Sequence, residues 1–475
     1  MNAHLPPDDK HSAGKRPRRT KSRDISAKGE PFLWGLGGAL ALGILMIIGF
    51  LGLVVWSGVG AFYPARLSVV HLADGSHFAG EECRTEMFRV DPKDIENTDL
   101  GERRSLERSG FFAKRTLYRT GNFDLYNEDF RWVNNSAVKG VTEPPNLYFV
   151  ERMEWGPFIG TVESVDLAGK RIQGAGVSRG ELYDALKKAA GRRQQIRKLE
   201  RVDIGAVNHY LEKERLALRK AAITFGEDSS KYSRAKTLHD ERVAELQAQY
   251  ETLQRQAQEL KAKDAAFTIV LADVNGRQKP LKLSEIVRMY PANSLGLTDK
   301  LGVYLSRWWE FLSEEPREAN TEGGILPAIF GTCVMTVFMA VVVAPLGVIA
   351  ALYLREYAKQ GRLVSAVRIS VNNLAGVPSI VYGVFGLGLF AYLIGARIDE
   401  LFYAERLPNP TFGTGGLLWS SLTLALLTVP VVIVATEEAL ATVPQSMREG
   451  SLACGASKWQ TVKYIVLPRA MPGIM

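Results

Sequence analysis

Four long runs without a single charged residue constrain this chain more than anything else in it. They are Phe32–Gly60, Gly323–Leu354, Ile369–Ala396 and Leu407–Thr436. An α-helix crosses the hydrocarbon of a bilayer in about 20 residues, so each run is long enough to span. Inside lipid every backbone N–H and C=O must find its partner within the protein, which leaves helices as the solution for runs of this length. One such run could be a buried helix of a large soluble protein, but four in one chain predict an α-helical polytopic membrane protein. The first run is far longer than a signal-peptide core and begins late, so it reads as an anchor. Trp34 and Trp56 sit near its ends, where an amphipathic ring suits the interface. The expected spans are 31–60, 325–354, 370–396 and 416–436, the last preceded by a polar lead-in of Asn409, Thr411 and Thr414. Pro345 and Pro430 should kink their helices unless neighbouring groups accommodate the lost bonds.

Charge then orients the spans. Residues 1–30 hold a run of Lys and Arg from Lys10 to Lys28 and few aromatics, a basic tail predicted to be disordered. The net charge of +8 is read here as membrane-flanking charge and not as a nucleic-acid footprint, because its densest segment directly precedes an apolar run. The loop Arg355–Arg368 carries Arg355, Lys359, Arg362 and Arg368 against Glu356. Placing both basic flanks in the cytoplasm makes residues 61–322 external, together with the loop around Asp399, Glu400 and Glu405, and returns 437–469 to the cytoplasm. The three cysteines, Cys83, Cys333 and Cys454, fall in three different environments, which argues against a disulfide framework.

The insert 61–322 is too patterned for a linker. Leu67–Leu72 before Asp74-Gly75, and Phe267–Ala272 before Asn275-Gly276, read as strands and turns, with Leu281 and Leu283 in a return strand. Stretches at 147–150 and 158–165 add a modest β component. Between about 181 and 264 the composition turns to Ala, Leu, Glu, Lys, Arg and Gln. Val243, Leu246, Tyr250, Leu253, Ala257 and Leu260 repeat at alternating steps of 3 and 4, the seam of a coiled coil. Ile196, Leu199, Tyr210 and Leu211 form a less regular first arm, and Phe225–Ser230 interrupts the pattern. A helical hairpin in a mixed α/β insert is expected, with a pair of amphipathic helices laid on the β part as the alternative. His209 and His239 are isolated on charged helices, and no glycine loop precedes Lys-Ser or Lys-Thr. No catalytic centre, metal site or cofactor is assigned.

The segment 437–469 follows the last apolar run but is polar. Pro444 suits a first helical turn, Gly455 a left-handed helix end, and Ser457 with Gln460 the spacing of a capping box. Two short helices are expected. Met447, Ser451 and Cys454 should share a face of the first, and Trp459, Val462 and Val466 a face of the second. An ordinary helix–turn–helix satisfies the same spacing. In the third run Asn372, Asn373 and Ser379 stand among glycines, as polar groups facing protein or a water-filled route. Helix–helix packing is the competing account of the same residues.

Glu449-Gly450-Ser451, three residues, Gly455, nine residues and Ile465-Val466-Leu467-Pro468 resembles the signature loop of binding-protein-dependent ABC importer permeases, with Glu-Gly-Ser in place of the usual Glu-Ala-Ala. Asn373-Leu374-Ala375-Gly376-Val377-Pro378-Ser379-Ile380-Val381-Tyr382-Gly383, with Glu322–Ile329, is similar to the A-type permease of the phosphate ABC importer over about residues 300–475. The resemblance implies an ABC importer type I permease core at 323–475. It makes Glu449, Gly450, Ser451, Gly455, Ala456, Ile465, Leu467 and Pro468 an ATPase-coupling loop, and places Asn372, Asn373 and Ser379 beside a path for inorganic phosphate. Arg355 and Arg368 either attract that anion or only fix topology. The implied partners are a second homologous permease, an ATPase dimer and a periplasmic phosphate-binding protein, at a bacterial inner membrane. ATP hydrolysis belongs to the separate subunit, so the chain itself is no enzyme. A permease for molybdate or sulfate, or a membrane-tethered structural or sensing protein built on the hairpin, stands as the alternative. In that family further helices follow the loop, so a C-terminally incomplete chain is expected.

Overall fold

The computed structural model describes residues 31–90, 110–318 and 321–474; the basic tail 1–30 lies outside the described residues. Two units are described separately, divided at Tyr63. The described part of the first is one helix, Pro31–Ala61, apolar all round. A helix without a polar face has no side to turn toward water.

The second unit begins with the β-rich part of the insert. Strands β1 (Leu67–Leu72), β2 (His77–Arg89), β3 (Phe112–Arg119), β4 (Phe130–Asn134) and β5 (Val138–Thr142) form one sheet in the order β4-β3-β2-β1-β5. Strands β6 (Tyr148–Arg152), β7 (Phe158–Leu167), β8 (Lys170–Gln173), β9 (Phe267–Ala272), β10 (Gln278–Lys282) and β11 (Ile286–Pro291) form the other, in the order β10-β9-β7-β6-β11 with β8 paired to β7. Every pairing is antiparallel. Leu67, Val69 and Ala79 of the first sheet bury against Leu147, Phe149, Ile159 and Tyr290 of the second. The strands expected at 67–72, 147–150, 158–165 and 267–272 are present. The β content exceeds the modest share expected, and Leu283 lies just past β10, in a 3₁₀ turn. Among the unforeseen strands, β2, β3 and β4 are dense in charged residues that obscure an apolar alternation. On β2–β4, Glu86 pairs with Arg115 across strands at 2.5 Å, and Arg115 lies 4.4 Å from the ring of Trp132. Such cross-strand pairs stabilise a solvated sheet face without a hydrophobic period.

The helical hairpin runs through Arg179–Lys198, a π-helical turn at Leu199–Asp203, Ile204–Phe225, and back along Ser230–Ala265. Its turn falls at 226–229, and Ser229 caps the return helix by accepting from the Tyr232 N–H at 3.1 Å. Each position of the expected seam is buried or half-buried, with Leu246 and Ala257 deepest. The first arm needs correction: Tyr210 is 53% exposed, and Val207 and Leu211 provide the inward face. The base of the hairpin is part of the insert core, since Leu182, Ala185 and Ala189 pack on Phe158, Ile269 and Leu271. Arg192 pairs with Asp264 at 2.8 Å across the two arms.

Among the described residues, four helices are long and apolar enough to cross a membrane: Trp34–Ala61, Leu326–Tyr357, Ser379–Phe402 and Leu417–Ala441. The last three lie in the second unit. Gly347 sits so close to Val432 that an added Cβ would overlap it, and Gly386 is equally tight against Thr423. Small residues permit this approach where no hydrophobic driving force exists between helices. The span expected at 370–396 is revised. One helix, Arg362–Ala375, ends at Gly376, and the apolar helix starts only at Ser379. Pro378 pushes Val377 out of the helical region, which separates the two. Helical structure continues through both Pro345 and Pro430.

Candidate functional site

The segment 437–469 folds as two short helices, as its punctuation predicts. The first is Gln445–Ala453, with Pro444 at its N-cap, one position outside the turn expected for it. Gly455 takes φ +84°. Its N–H donates to Leu452 O at 3.0 Å, and the Ala456 N–H donates to Ser451 O at 3.2 Å. Those two bonds are a Schellman ending, which needs the left-handed residue that glycine supplies most easily. The second helix opens with both bonds of the capping box, Ser457 N–H to Gln460 Oε1 at 2.8 Å and Gln460 N–H to Ser457 Oγ at 3.3 Å.

Ser451, where alanine is usual, has a partner. Its hydroxyl lies 2.9 Å from that of buried Thr461, which also donates to Ser457 O at 3.2 Å. The hydroxyl pair ties the two short helices together. Val462 and Val466 are buried as expected, but Trp459 is 59% exposed. The helix widens to π-helical bonding over Val462–Val466 and shifts the phase of the expected face. Met447 and Ser451 line one groove of about 470 Å³ with Gly450, Tyr464, Ile465 and Pro468, whereas Cys454 does not join them and is exposed. Glu449 is exposed and accepts from Gln445 Nε2 at 2.8 Å. Leu467 is half-buried behind the groove, and Gly455-Ala456 form the apex.

The residue that fastens the loop was not singled out from the sequence. Arg448 donates to Val443 O at 2.6 Å and Leu440 O at 2.8 Å, and its Nε reaches Glu356 Oε1 at 3.2 Å. One guanidinium thus caps the carbonyl end of the preceding span and pairs with the last turn of another. A basic residue a few positions beyond a helix end is the available signal. Beside it, Lys458 Nζ stands 5.1 Å from the ring of Tyr357.

The structure brings together only part of the expected substrate set. Arg355, Arg368 and Asn372 line a cavity of about 290 Å³ with Glu437 and Glu438. Arg368 donates to Glu437 Oε1 and to Gln360 Oε1, each at 3.2 Å, and to Leu354 O at 3.5 Å. Two carboxylates therefore face two guanidiniums. Asn373 and Ser379 do not line this cavity; they stand on either side of the Gly376–Pro378 break. Among the described residues no group of His, Cys, Asp and Glu has metal-binding geometry.

Residues 343–475 match the family described as binding-protein-dependent transport system inner membrane component. Over that segment the chain is similar to ABC-transporter permeases. Several of the proteins it resembles there are phosphate-transport permeases. The phosphate transport system permease protein PstA 1 of Mycobacterium tuberculosis (strain ATCC 25618 / H37Rv) is 37% identical over 170 residues, 36% of this chain and 49% of that protein. The probable ABC transporter permease protein YqgH of Bacillus subtilis (strain 168) is 33% identical over 171 residues, 35% of this chain and 51% of its own. The phosphate transport system permease protein PstC of Mesorhizobium japonicum is 29% identical over 177 residues, 35% and 54% of the two chains. The chain spans about half the length of the curated relatives it matches.

Proposed function

We propose that this chain is the A-type permease subunit of an ATP-driven phosphate importer, with the loop 437–469 coupling it to an ATPase subunit. The observation that carries the reading is the loop itself. Its apex is narrow, its two helices are locked by the Schellman and capping-box bonds, and it leaves Leu452, Trp459 and Tyr464 exposed beside a groove. Apolar side chains held outward on a rigid turn suit insertion into a cleft on another protein. Arg448 and Lys458 connect that turn to Glu356 and Tyr357, at the end of a span, so a movement of the loop is felt by the helix. The reading includes a bacterial inner membrane, a cytoplasmic N-terminus, an external insert, a second permease, two ATPase copies and a binding protein that delivers phosphate.

The charge balance of the cavity at Arg368 does not favour an anion over its own carboxylates, so phosphate selectivity rests on relatedness to the phosphate permeases. The test is ATP-driven uptake of radiolabelled phosphate into right-side-out vesicles loaded with ATP, from cells with and without the intact gene, with molybdate and sulfate as competing arms. Uptake that depends on the gene and resists both competitors supports the proposal. Gene-dependent uptake of molybdate or sulfate in place of phosphate overturns the substrate.

A further inference from the structure

One helix of the insert displays an apolar stripe that the permease reading leaves unused. In Leu297–Ser313, the side chains of Leu297, Leu301, Leu305, Trp309 and Leu312 are all exposed, Leu297 and Trp309 by 83% and 75%. Steps of four and three keep them on one face, and no charged residue interrupts it. The opposite face is held against the second sheet. Arg307 pairs with Glu151 at 2.7 Å, and Glu310 with Arg288 at 2.8 Å. Rotation is therefore fixed, with the stripe turned away from the insert core.

The position of this helix along the membrane normal is fixed as well. Its last carbonyls, Phe311 O and Glu314 O, accept from the Ile325 and Leu326 N–H groups at 2.8 and 3.3 Å. Leu326 is the first residue of a span. Gly324 permits the contact, since a Cβ there would overlap Glu314 O. The stripe ends where the chain enters hydrocarbon, and exposed Leu326 and Phe330 continue its apolar surface onto the span.

We propose that Leu297–Ser313 lies in the plane of the membrane interface and anchors the insert by burying this stripe among the lipids. A helix of this length extends about 25 Å, and helices with one apolar face settle roughly 5–10 Å into the headgroup–acyl boundary. Trp309 suits that depth, where its ring has apolar surroundings and its N–H has water. Because the stripe carries no charge, binding to the lipid does not need anionic headgroups. The insert is thereby held down along a line, in addition to its chain connections to the spans.

The proposal rests on the Leu326–Tyr357 helix crossing the membrane and is independent of substrate and ATPase. The test uses the full chain in nanodiscs of phosphatidylethanolamine, with and without phosphatidylglycerol, after Cys83→Ser, Cys333→Ser and Cys454→Ser. Nitroxide labels are placed singly through Leu297→Cys, Leu301→Cys, Leu305→Cys and Trp309→Cys, so failure of one variant leaves the others. Relaxation by oxygen and by a water-soluble nickel chelate then reports depth. The expected result is strong oxygen and weak chelate access at all four sites, unchanged by phosphatidylglycerol, with a label at Glu241→Cys on the hairpin showing the reverse. Chelate access at the stripe equal to that at residue 241 overturns the proposal. Shielding from both reagents also overturns it, in favour of a protein cover such as a second permease chain. A label at Val341→Cys tests the crossing itself and separates its failure from that of the interfacial helix.

Discussion

Gly455 offers the sharpest test of how the loop works, because conformation and space make different demands there. An added Cβ on Gly455 meets nothing within 4 Å, so Gly455→Ala is free of any clash inside the chain. Its cost is the left-handed backbone at φ +84°, which for alanine is about 1–2 kcal/mol. That lowers the fraction of loop holding the Schellman turn roughly 5- to 30-fold relative to its competitors. Asparagine tolerates the same angle far better, so Gly455→Asn preserves the turn while adding bulk at the apex. Gly455→Asp preserves it too and adds a charge. If the backbone angle alone matters, Asn retains coupling better than Ala. If the apex must approach another protein closely, Ala is the mildest of the three, and Asn and Asp fail together. The proposed docking predicts the second order, with Gly455→Asp inserting normally yet losing the ATPase. Copurification of the ATPase with tagged permease, measured alongside ATP-driven uptake in vesicles, reads both properties. Gly455→Asp with normal copurification and normal uptake would falsify the coupling assignment and leave an ordinary helix–turn–helix.

Topology is tested by single cysteines at Ser230 and Lys458 in a background lacking native cysteine: an impermeant reagent should label 230 and not 458 in intact spheroplasts, and the reverse sinks the orientation. Arg448→Ala removes two carbonyl bonds and the partner of Glu356, an expected loss of about 2–4 kcal/mol. It should appear as protease sensitivity of the loop, and an unchanged digestion pattern refutes the anchoring role. Arg368→Lys should leave the phosphate concentration for half-maximal uptake unchanged, because the guanidinium is engaged with Glu437, Gln360 and Leu354 O; a clear shift would assign it to the anion. The hairpin is best shortened at the Lys261–Glu200 pair, whose 2.5 Å contact joins the two arms. Removing 201–260 there should spare the core contacts of Leu182, Ala185 and Ala189 and leave insertion and ATPase activity intact. Complete loss of ATPase activity in an assembled complex would place the hairpin in the transport core.

What could be read from the sequence follows the reach of each interaction. The hairpin seam, the turn at Phe225–Ser230, the Gly455 helix ending and the Ser457–Gln460 box depend on residues within one or two turns, and they appear where the spacing places them. Burial of the seam follows from the same local period. Strands β2 to β4 escaped because their order comes from partners across the sheet, such as Glu86 with Arg115, which no local period encodes. The break at Gly376–Pro378 was written in the sequence, yet hydropathy averaged across it. Trp459 faced outward because the π-helical turn changes the phase on which an i, i+3, i+7 reading depends.

The attachment of the insert to the membrane segment was the least legible feature, and a layer of ion pairs builds it. Glu151 of β6 receives Arg307 and Arg288, Arg288 continues to Glu310, and Glu310 to Arg317 at 2.9 Å. Tyr290 accepts from Arg307 at 2.7 Å, and burial holds its phenol well above the ordinary range, so it remains a neutral hydroxyl. From Arg317 the backbone turns back, its N–H donating to Glu322 O at 2.8 Å, while the Glu322 carboxylate meets Arg119 of β3 at 2.6 Å. Both sheets are thus tied to the few residues that precede the span at Leu326. In a sequence these are scattered arginines and glutamates on strands and a helix, indistinguishable from solvated charge. Only folding shows that they share one layer, and there the loss of one partner would strand the others. A linkage of this kind passes a tilt of the insert into the start of the helix with little slack. At the opposite end of the same helix, Glu356 and Tyr357 receive Arg448 and Lys458 from the loop. The helix Leu326–Tyr357 thus carries contacts to the insert at one end and to the loop at the other.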